Sequence, residues 1–192
     1  MPHSPPTDSS TARERFVTLM LPHLDAAYGL ARWLTRNDEL AEDAVQEACL
    51  RAFRFFGSFR GDAPRPWLLR IVRNACYELA ERERSSRQAD SFNETKHDAE
   101  AAAPGAVLVL PVNPEAALIA RAERDQVRAC LDALPADYRE VIVLRELQGC
   151  TYKEIAMIAG LPIGTVMSRL ARARRLLQAR ISESMRQEDT GT

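Results

Sequence analysis

The segment TYKEIAMIAGLPIGTVMSRLARARRLL, residues 151–177, decides how the chain folds. It has the grammar of two helices joined by a tight turn. Thr151 caps a short helix, Tyr152 to Ala159, whose apolar positions are Ile155, Ala156, Ile158 and Ala159. Small Ala156 lets two helices cross closely. Gly160 suits the left-handed conformation that ends a helix, Leu161 plugs the core, and Pro162 sets the start of the next helix. That second helix runs from about Ile163 to Ser184. Val166, Leu170, Ala173 and Leu177 face inward at steps of four, three and four. The outward face then holds Thr165, Ser168, Arg169, Arg172 and Arg175, with Arg174 beside them. Five arginines and no acid lie between Gly164 and Arg180. Such a helix suits a DNA major groove: arginine pairs two-pronged with guanine while its neighbours clamp phosphates. A plain hairpin with a solvated arginine face is the alternative. The coincidence of cap, turn glycine, plug leucine and arginines favours the DNA reader.

Outward from this segment the chain keeps to helices. Of 192 residues, 46% are hydrophobic and 28% charged, with only 8 glycines and 6% aromatics. Strong helix formers dominate and no sheet-like alternation occurs. Pro135-Ala-Asp137 caps a helix from Tyr138 to Leu147, closed by Gly149. Before it, a helix spans roughly Pro114 to Leu134 on a stripe of Leu118, Ala122, Val127 and Leu131. In the N-terminal half, Phe16, Leu19, Met20, Leu24, Ala27, Leu30, Ala31 and Leu34 recur at helical spacing. Asn37-Asp38 offers a cap for a helix with Leu40, Ala44, Val45, Ala48, Cys49 and Ala52 inside, and Phe53, Phe56 and Phe59 extend its apolar surface. Ser58 to Pro66 is a loop, and a third helix starts at Pro66-Trp67 with Leu68, Ile71, Val72, Ala75, Cys76 and Leu79 inside.

The expected organisation is all-α: two small helical domains joined by a flexible linker. Residues 1–10 form a Pro/Ser-rich tail, 11–87 the first domain, 88–113 the linker, 114–186 the second domain and 187–192 a C-terminal tail. The linker is rich in Ala, Asp, Glu, Ser and Pro. Its apolar patch, Val107 to Val112, docks either on a partner or between the chain's own domains.

Charge is polarised beneath a net of −1. From Asp38 to Glu47 there are five acids and no base, and from Arg51 to Arg73 six arginines and one acid, Asp62. The acidic helix, with Glu42, Asp43, Gln46 and Glu47 outward, would be a poor DNA face and suits a basic protein partner. Helix-dipole stabilisation accounts for acids in its first turn but not for Gln46 and Glu47 farther along. In the basic segment, arginines alternate with Phe53, Phe55, Phe56, Phe59 and Trp67, most of which belong in the core by spacing. The polar loop Ser58 to Arg65, with Phe59, Arg60, Asp62 and Arg65, and the face bearing Arg70, Arg73 and Asn74 are the better candidates for unpaired bases.

Other chemistry is poorly represented. Cys49, Cys76, Cys130 and Cys150 are scattered, as are His3, His23 and His97, so neither a zinc site nor a disulfide is expected. Structural burial is the preferred reading of the cysteines over a redox role. No Gly-rich phosphate loop, nucleophile motif or metal-ligand set suggests an enzyme, and no cofactor is expected. A secretory signal and a membrane-length apolar run are both missing, which points to the cytoplasm.

Two sets of residues together resemble a known family. Leu134-Pro-x-x-Tyr138-Arg-Glu-Val-Ile-x-Leu-Arg-Glu146, Gly149-x-Thr-Tyr-x-Glu-Ile-Ala156 and Gly164-Thr-Val-x-Ser-Arg-Leu-x-Arg-Ala-Arg174 resemble the sigma-4 domain of extracytoplasmic-function sigma factors. Ala41-Glu-Asp-Ala-Val-Gln-Glu47, Phe59-Arg-Gly-Asp62 and Trp67-Leu-x-Arg-Ile-Val-x-Asn74 resemble their sigma-2 domain. The resemblance implies that the first domain grips the beta-prime clamp helices of core RNA polymerase and opens the −10 element. The loop and Asn74 would cradle an extruded base. The second domain would bind the −35 element of promoter DNA and the polymerase beta flap. An anti-sigma factor, often membrane-bound, would hold the protein inactive. One departure is Met167, where the family often has a basic residue, which shifts base readout toward Thr165, Ser168 and Arg172. The competing reading is an autonomous helix-turn-helix regulator. It predicts tight promoter binding by the protein alone, whereas a sigma factor binds strongly only with core polymerase.

Overall fold

The structure, a computed structural model, describes residues 8–90 and 114–189. The Val107–Val112 patch and most of the expected linker lie outside the described residues, as do the side chains of Leu118 and Ala122. Among the described residues there are helices and turns and no strand. They form two compact units, the first built on α1 (Asp8–Met20), α2 (Leu24–Thr35), α3 (Asp38–Phe55) and α4 (Pro64–Asp90). The second is built on α5 (Pro114–Asp132), α6 (Ala136–Ile142) and α8 (Ile163–Asp189), with α7 (Tyr152–Ala159) linking α6 to α8 along the chain.

In the first unit α2, α3 and α4 pack mutually, and α1 touches α4. The apolar run expected to continue from Phe16 to Leu34 is interrupted at Leu21–His23, a 3₁₀ turn, because Pro22 cannot donate to the α ladder. α1 begins at Asp8, inside the stretch read as a tail, and α4 begins at Pro64, ahead of Pro66. α2 ends on Arg36 in the left-handed region (φ 59°), and the Asn37 side chain accepts the Leu40 N–H at 3.0 Å, the cap expected from sequence. Ala41, Ala44, Ala48 and Ala52 are fully buried along α3. This row of methyls lets α3 lie close to the larger side chains of its neighbours. Those include Leu30 on α2 and Leu68, Leu69 and Val72 on α4, all fully buried. Each such leucine contributes about 1.5–3 kcal/mol by leaving water.

The expected aromatic core is only partly present. Phe56 is buried, with Phe16 edge-on at 5.3 Å and Phe59 stacked at 6.1 Å. Phe53 and Phe55, however, are 52% and 57% exposed. Phe53 sits one residue past Ala52, about 100° off the alanine row. Phe55 is the last residue of α3, where the chain tightens into the 3₁₀ turn Phe56–Ser58 and swings its ring out.

In the second unit α8 packs on α6 and α5. α6 starts at Ala136 with no side-chain cap from Pro135, and it passes directly into a π-turn at Val143–Leu147. Gly149 (φ 63°) then reverses the chain. Val141, Ile142, Val143 and Leu144 are all buried, as are Arg139 and Glu140, which no sequence argument flagged. Arg139 donates to the Asp132 carbonyl at 2.9 Å, anchoring α6 to the C-terminal end of α5. Val127, expected in the α5 stripe, is 42% exposed, while Leu131 is buried. Near its end, α8 is tied to α5 by Gln126 Nε2 donating to Ser184 Oγ at 3.0 Å.

Candidate nucleic-acid interface

The two helices of residues 151–177 form as expected. Thr151 and Glu154 make a reciprocal capping box: the Thr151 N–H donates to Glu154 Oε2 at 2.7 Å and the Glu154 N–H to Thr151 Oγ1 at 3.3 Å. Ile155, Ile158 and Ala159 are buried and Ala156 is half-buried. Gly160 holds φ 66°, and α8 leaves α7 at a bend of 102°. That angle falls within the usual range for a helix-turn-helix. Val166, Leu170 and Ala173 are buried at 0–1% exposure, while Leu161 and Leu177 are half-buried at the margins.

The opposite side of α8 carries the candidate readers. Ser168, Arg172, Arg174 and Arg175 are exposed; Thr165 and Arg169 are half-buried. Thr165, Ser168, Arg169 and Arg172 fall at helical positions i, i+3, i+4 and i+7 and share one face. The arginines are not all unopposed, which corrects the sequence reading. Arg169 Nη2 meets Asp137 Oδ2 at 2.9 Å, and Arg174 donates through Nη2 and Nε to Glu146 Oε1 at 2.7 and 3.1 Å. The Glu146 bond and then Tyr152 raise the Arg174 pKa further. Glu146 belongs to the π-turn. Arg145, also in that turn, donates to the Cys150 carbonyl at 2.8 Å and lies 5.1 Å over the Tyr152 ring. Arg172 and Arg175 have no ion-pair partner among the described residues. Both are available to a ligand. Met167, at 54% exposure, adds an apolar tip to the same end of the helix.

In the first unit the acidic face of α3 stands as Glu42, Asp43 and Gln46, all exposed. Glu47 is half-buried and committed elsewhere. It accepts from Arg51 Nε at 2.8 Å, and Arg51 Nη2 also meets Glu78 of α4 at 2.7 Å. Arg51 thus staples α3 to α4, its own pKa raised above the ordinary arginine value and that of Glu78 lowered by the same bond. Of the expected −10 residues, Phe59 is half-buried and packs against Trp67 at 4.9 Å, so it supports the loop from below. Arg60, Asp62, Arg70 and Asn74 are exposed and Arg65 is half-buried. Arg73 lies 4.6 Å over the Tyr77 ring and donates to Asn74 Oδ1 at 3.3 Å. Arg70 and Asn74, one turn apart, share an exposed strip of α4. Beside this basic segment, Leu50 and Phe53 are exposed one turn apart on α3 and Phe55 is exposed at its end, apolar exposure that the sequence reading missed. The step from Ala52 to Phe53 was the signal for the second of these.

Cys76, Cys130 and Cys150 are buried and Cys49 half-buried. Among the described residues no group of His, Cys, Asp or Glu side chains could hold a metal ion, and no single helix is long and apolar enough to cross a membrane.

Known proteins match both units. Residues 19–86 match the family model Sigma-70 region 2, and residues 124–177 match Sigma-70, region 4. The chain is 37% identical over 160 residues to the ECF RNA polymerase sigma-E factor of Escherichia coli (strain K12), covering 82% of this chain and 81% of the relative. It is 32% identical over 177 residues to the RNA polymerase sigma-H factor of Pseudomonas aeruginosa, covering 91% and 90%. Among solved structures it resembles the sigma factor RpoE in complex with the anti-sigma factor NepR from Bartonella quintana, with a TM-score of 0.68, 29% identity, and coverage of 88% of this chain and 98% of that one. It also resembles CnrH in complex with the cytosolic domain of CnrY, with a TM-score of 0.60, 25% identity, and coverage of 91% and 94%. With an arginine-bearing helix-turn-helix following a separate acid-faced helical unit, and with these relatives along nearly its whole length, the chain belongs to the extracytoplasmic-function sigma factors, which bind core RNA polymerase and direct it to specific promoters.

Proposed function

We propose that the two units divide promoter recognition between them. Residues 114–186 read the −35 element through α8, with Thr165, Ser168 and Arg172 toward base edges and Arg175 toward phosphate. Arg169 and Arg174 are held back by acids and contribute less. Residues 11–87 open the −10 element, with Arg60, Asp62, Arg65, Arg70, Arg73 and Asn74 receiving the displaced strand over the Phe59–Trp67 floor. Glu42, Asp43 and Gln46 dock on the beta-prime clamp helices of the polymerase, with Glu47 mainly serving α3–α4 cohesion. Residues 88–113 connect the two, and the beta flap engages the second unit. The protein performs no catalysis itself, and it works in the cytoplasm. An anti-sigma protein regulates it, as the complexes of its structural relatives with NepR and the CnrY cytosolic domain suggest.

The observation that carries this reading is α8. Its inward Val166, Leu170 and Ala173 are buried, and its outward face presents Arg172 and Arg175 without ion-pair partners among the described residues. Footprinting of the holoenzyme, combined with a single-strand-specific probe, tests it. Arg172→Ala should erase protection at −35, while Asn74→Ala should leave −35 protection and reduce strand opening at −10. The converse pattern would overturn the assignment of the units.

A further inference from the structure

The DNA-facing side of α8 contains an acid that a simple cationic reader does not need. Asp137, in the first turn of α6, lines the same shallow depression as Thr165, Ser168, Arg169 and Arg172. Its side chain remains 61% exposed while its Oδ2 holds Arg169 Nη2 at 2.9 Å. Helical spacing puts Arg169 in the middle of the reading face, one turn from both Thr165 and Arg172. An unrestrained arginine there would clamp a phosphate whatever the sequence. The carboxylate occupies that guanidinium and also brings a negative charge toward the DNA backbone. Both effects lower affinity for every sequence. Arg172, which has no such partner, keeps its capacity to pair with a base.

We propose that Asp137 sets the affinity threshold of the −35 site: by holding Arg169 it withholds a sequence-independent phosphate clamp, so that binding stable enough to persist requires the base pairing made by Thr165, Ser168 and Arg172. A phosphate contact adds equally to matched and mismatched complexes, so withholding it lowers the occupancy of every site and leaves only those with good base pairing stably bound. The proposal rests on the reading of α8 as the −35 helix. The Glu146–Arg174 pair does not act this way, because Arg174 projects off the Thr165–Arg172 face and braces α8 against the π-turn.

The test uses the full chain assembled with core polymerase. Binding to a duplex with its preferred −35 element, and to one with that element scrambled, is measured across a salt series. Asp137→Asn should steepen the fall of log K with log salt by about 0.9, the increment for neutralising one more phosphate. It should also tighten binding to the matched and scrambled duplexes by a similar factor and leave their ratio unchanged, because a backbone contact made regardless of sequence adds equally to both. Asp137→Glu should behave as the unsubstituted protein. Asp137→Asn combined with Arg169→Ala should return the salt slope to its original value. If Asp137 only braces α6 against α8, Asp137→Asn will weaken binding to both duplexes with no steeper slope, and the proposal fails. A steeper slope that persists in the double substitution also overturns it, since Arg169 would not be the source. Arg172→Ala in the same series separates the two levels. Discrimination retained there removes the −35 reading of α8 itself. Discrimination lost there, with an unchanged slope for Asp137→Asn, removes only the role of Asp137.

Discussion

Adding the same methyl group at two glycines flanking the helix-turn-helix bend should move local stability in opposite directions. Gly160 holds φ 66°, and a Cβ built there meets nothing within 4 Å; the same open space surrounds Gly164, whose backbone is helical. Sterics therefore drop out of both substitutions, leaving only backbone preference. Gly160→Ala forces an L-residue into the left-handed region at a cost of about 1–2 kcal/mol. This is partly offset by about 0.4–1 kcal/mol from a stiffer unfolded chain. The net is a destabilisation of about 1 kcal/mol. Gly164→Ala has no left-handed cost and is stabilised by about 0.5–1 kcal/mol through the unfolded chain and helix propensity. Trp33 and Trp67 both lie in the first unit, so tryptophan fluorescence does not report this change. Amide hydrogen exchange at Val166 and Leu170, in the buried stripe of α8, does. Protection there should fall about fivefold for Gly160→Ala and rise about threefold for Gly164→Ala, since about 1.4 kcal/mol is a factor of ten. Equal and same-signed changes would refute the idea that the bend depends on the left-handed residue.

Three further outcomes follow from the site geometry. Arg172→Ala should cost about 1–3 kcal/mol of preference for the −35 element and leave thermal stability unchanged, because the exposed guanidinium carries no ion pair to lose; gel-shift competition between matched and scrambled duplexes reads this. Asp43→Lys, on the exposed face of α3, should weaken binding to core polymerase by roughly 1–2 kcal/mol in a titration while the fold stays intact. Glu78 has its pKa lowered below 4.5 by the bond from Arg51, so its stabilisation is present above the unfolded value and lost as pH falls through the folded one. With that carboxylate 46% exposed, the effect is small, under about 1 kcal/mol. Urea midpoints followed by tryptophan fluorescence should therefore decline less steeply below pH 4.5 in Glu78→Gln than in the unsubstituted protein.

Much of the fold is local and was legible for that reason. The Asn37 cap, the Thr151–Glu154 box, the left-handed Gly160 and the buried Val166, Leu170 and Ala173 are all set by neighbours within a turn or two. What escaped the sequence reading is tertiary. The Arg174–Glu146 bond joins residues 28 apart, and the Arg169–Asp137 pair likewise bridges α8 and α6. Nothing in the α8 sequence itself shows that two of its arginines are countered by acids from outside that helix. The π-turn at Val143–Leu147 widens a ladder that periodicity treats as uniform, and it is this turn that carries Glu146. Phe53 and Phe55 are among the aromatics that spacing and apolar neighbours place in the core, but Phe53 is out of phase with the alanine row and Phe55 closes α3, so both rings are exposed. Buried Glu140 and Arg139 were missed because charge argues for the surface unless a partner is known.

This chain acts through the polymerase, not beside it. A reconstituted run-off assay with core polymerase and a template carrying several promoters measures this directly, alongside promoter occupancy by the chain alone at the same concentration. Discrete transcripts from a subset of promoters, with no comparable occupancy in the absence of core enzyme, are the predicted result. Full-affinity occupancy by the isolated chain, or no initiation when core enzyme is supplied, would contradict it.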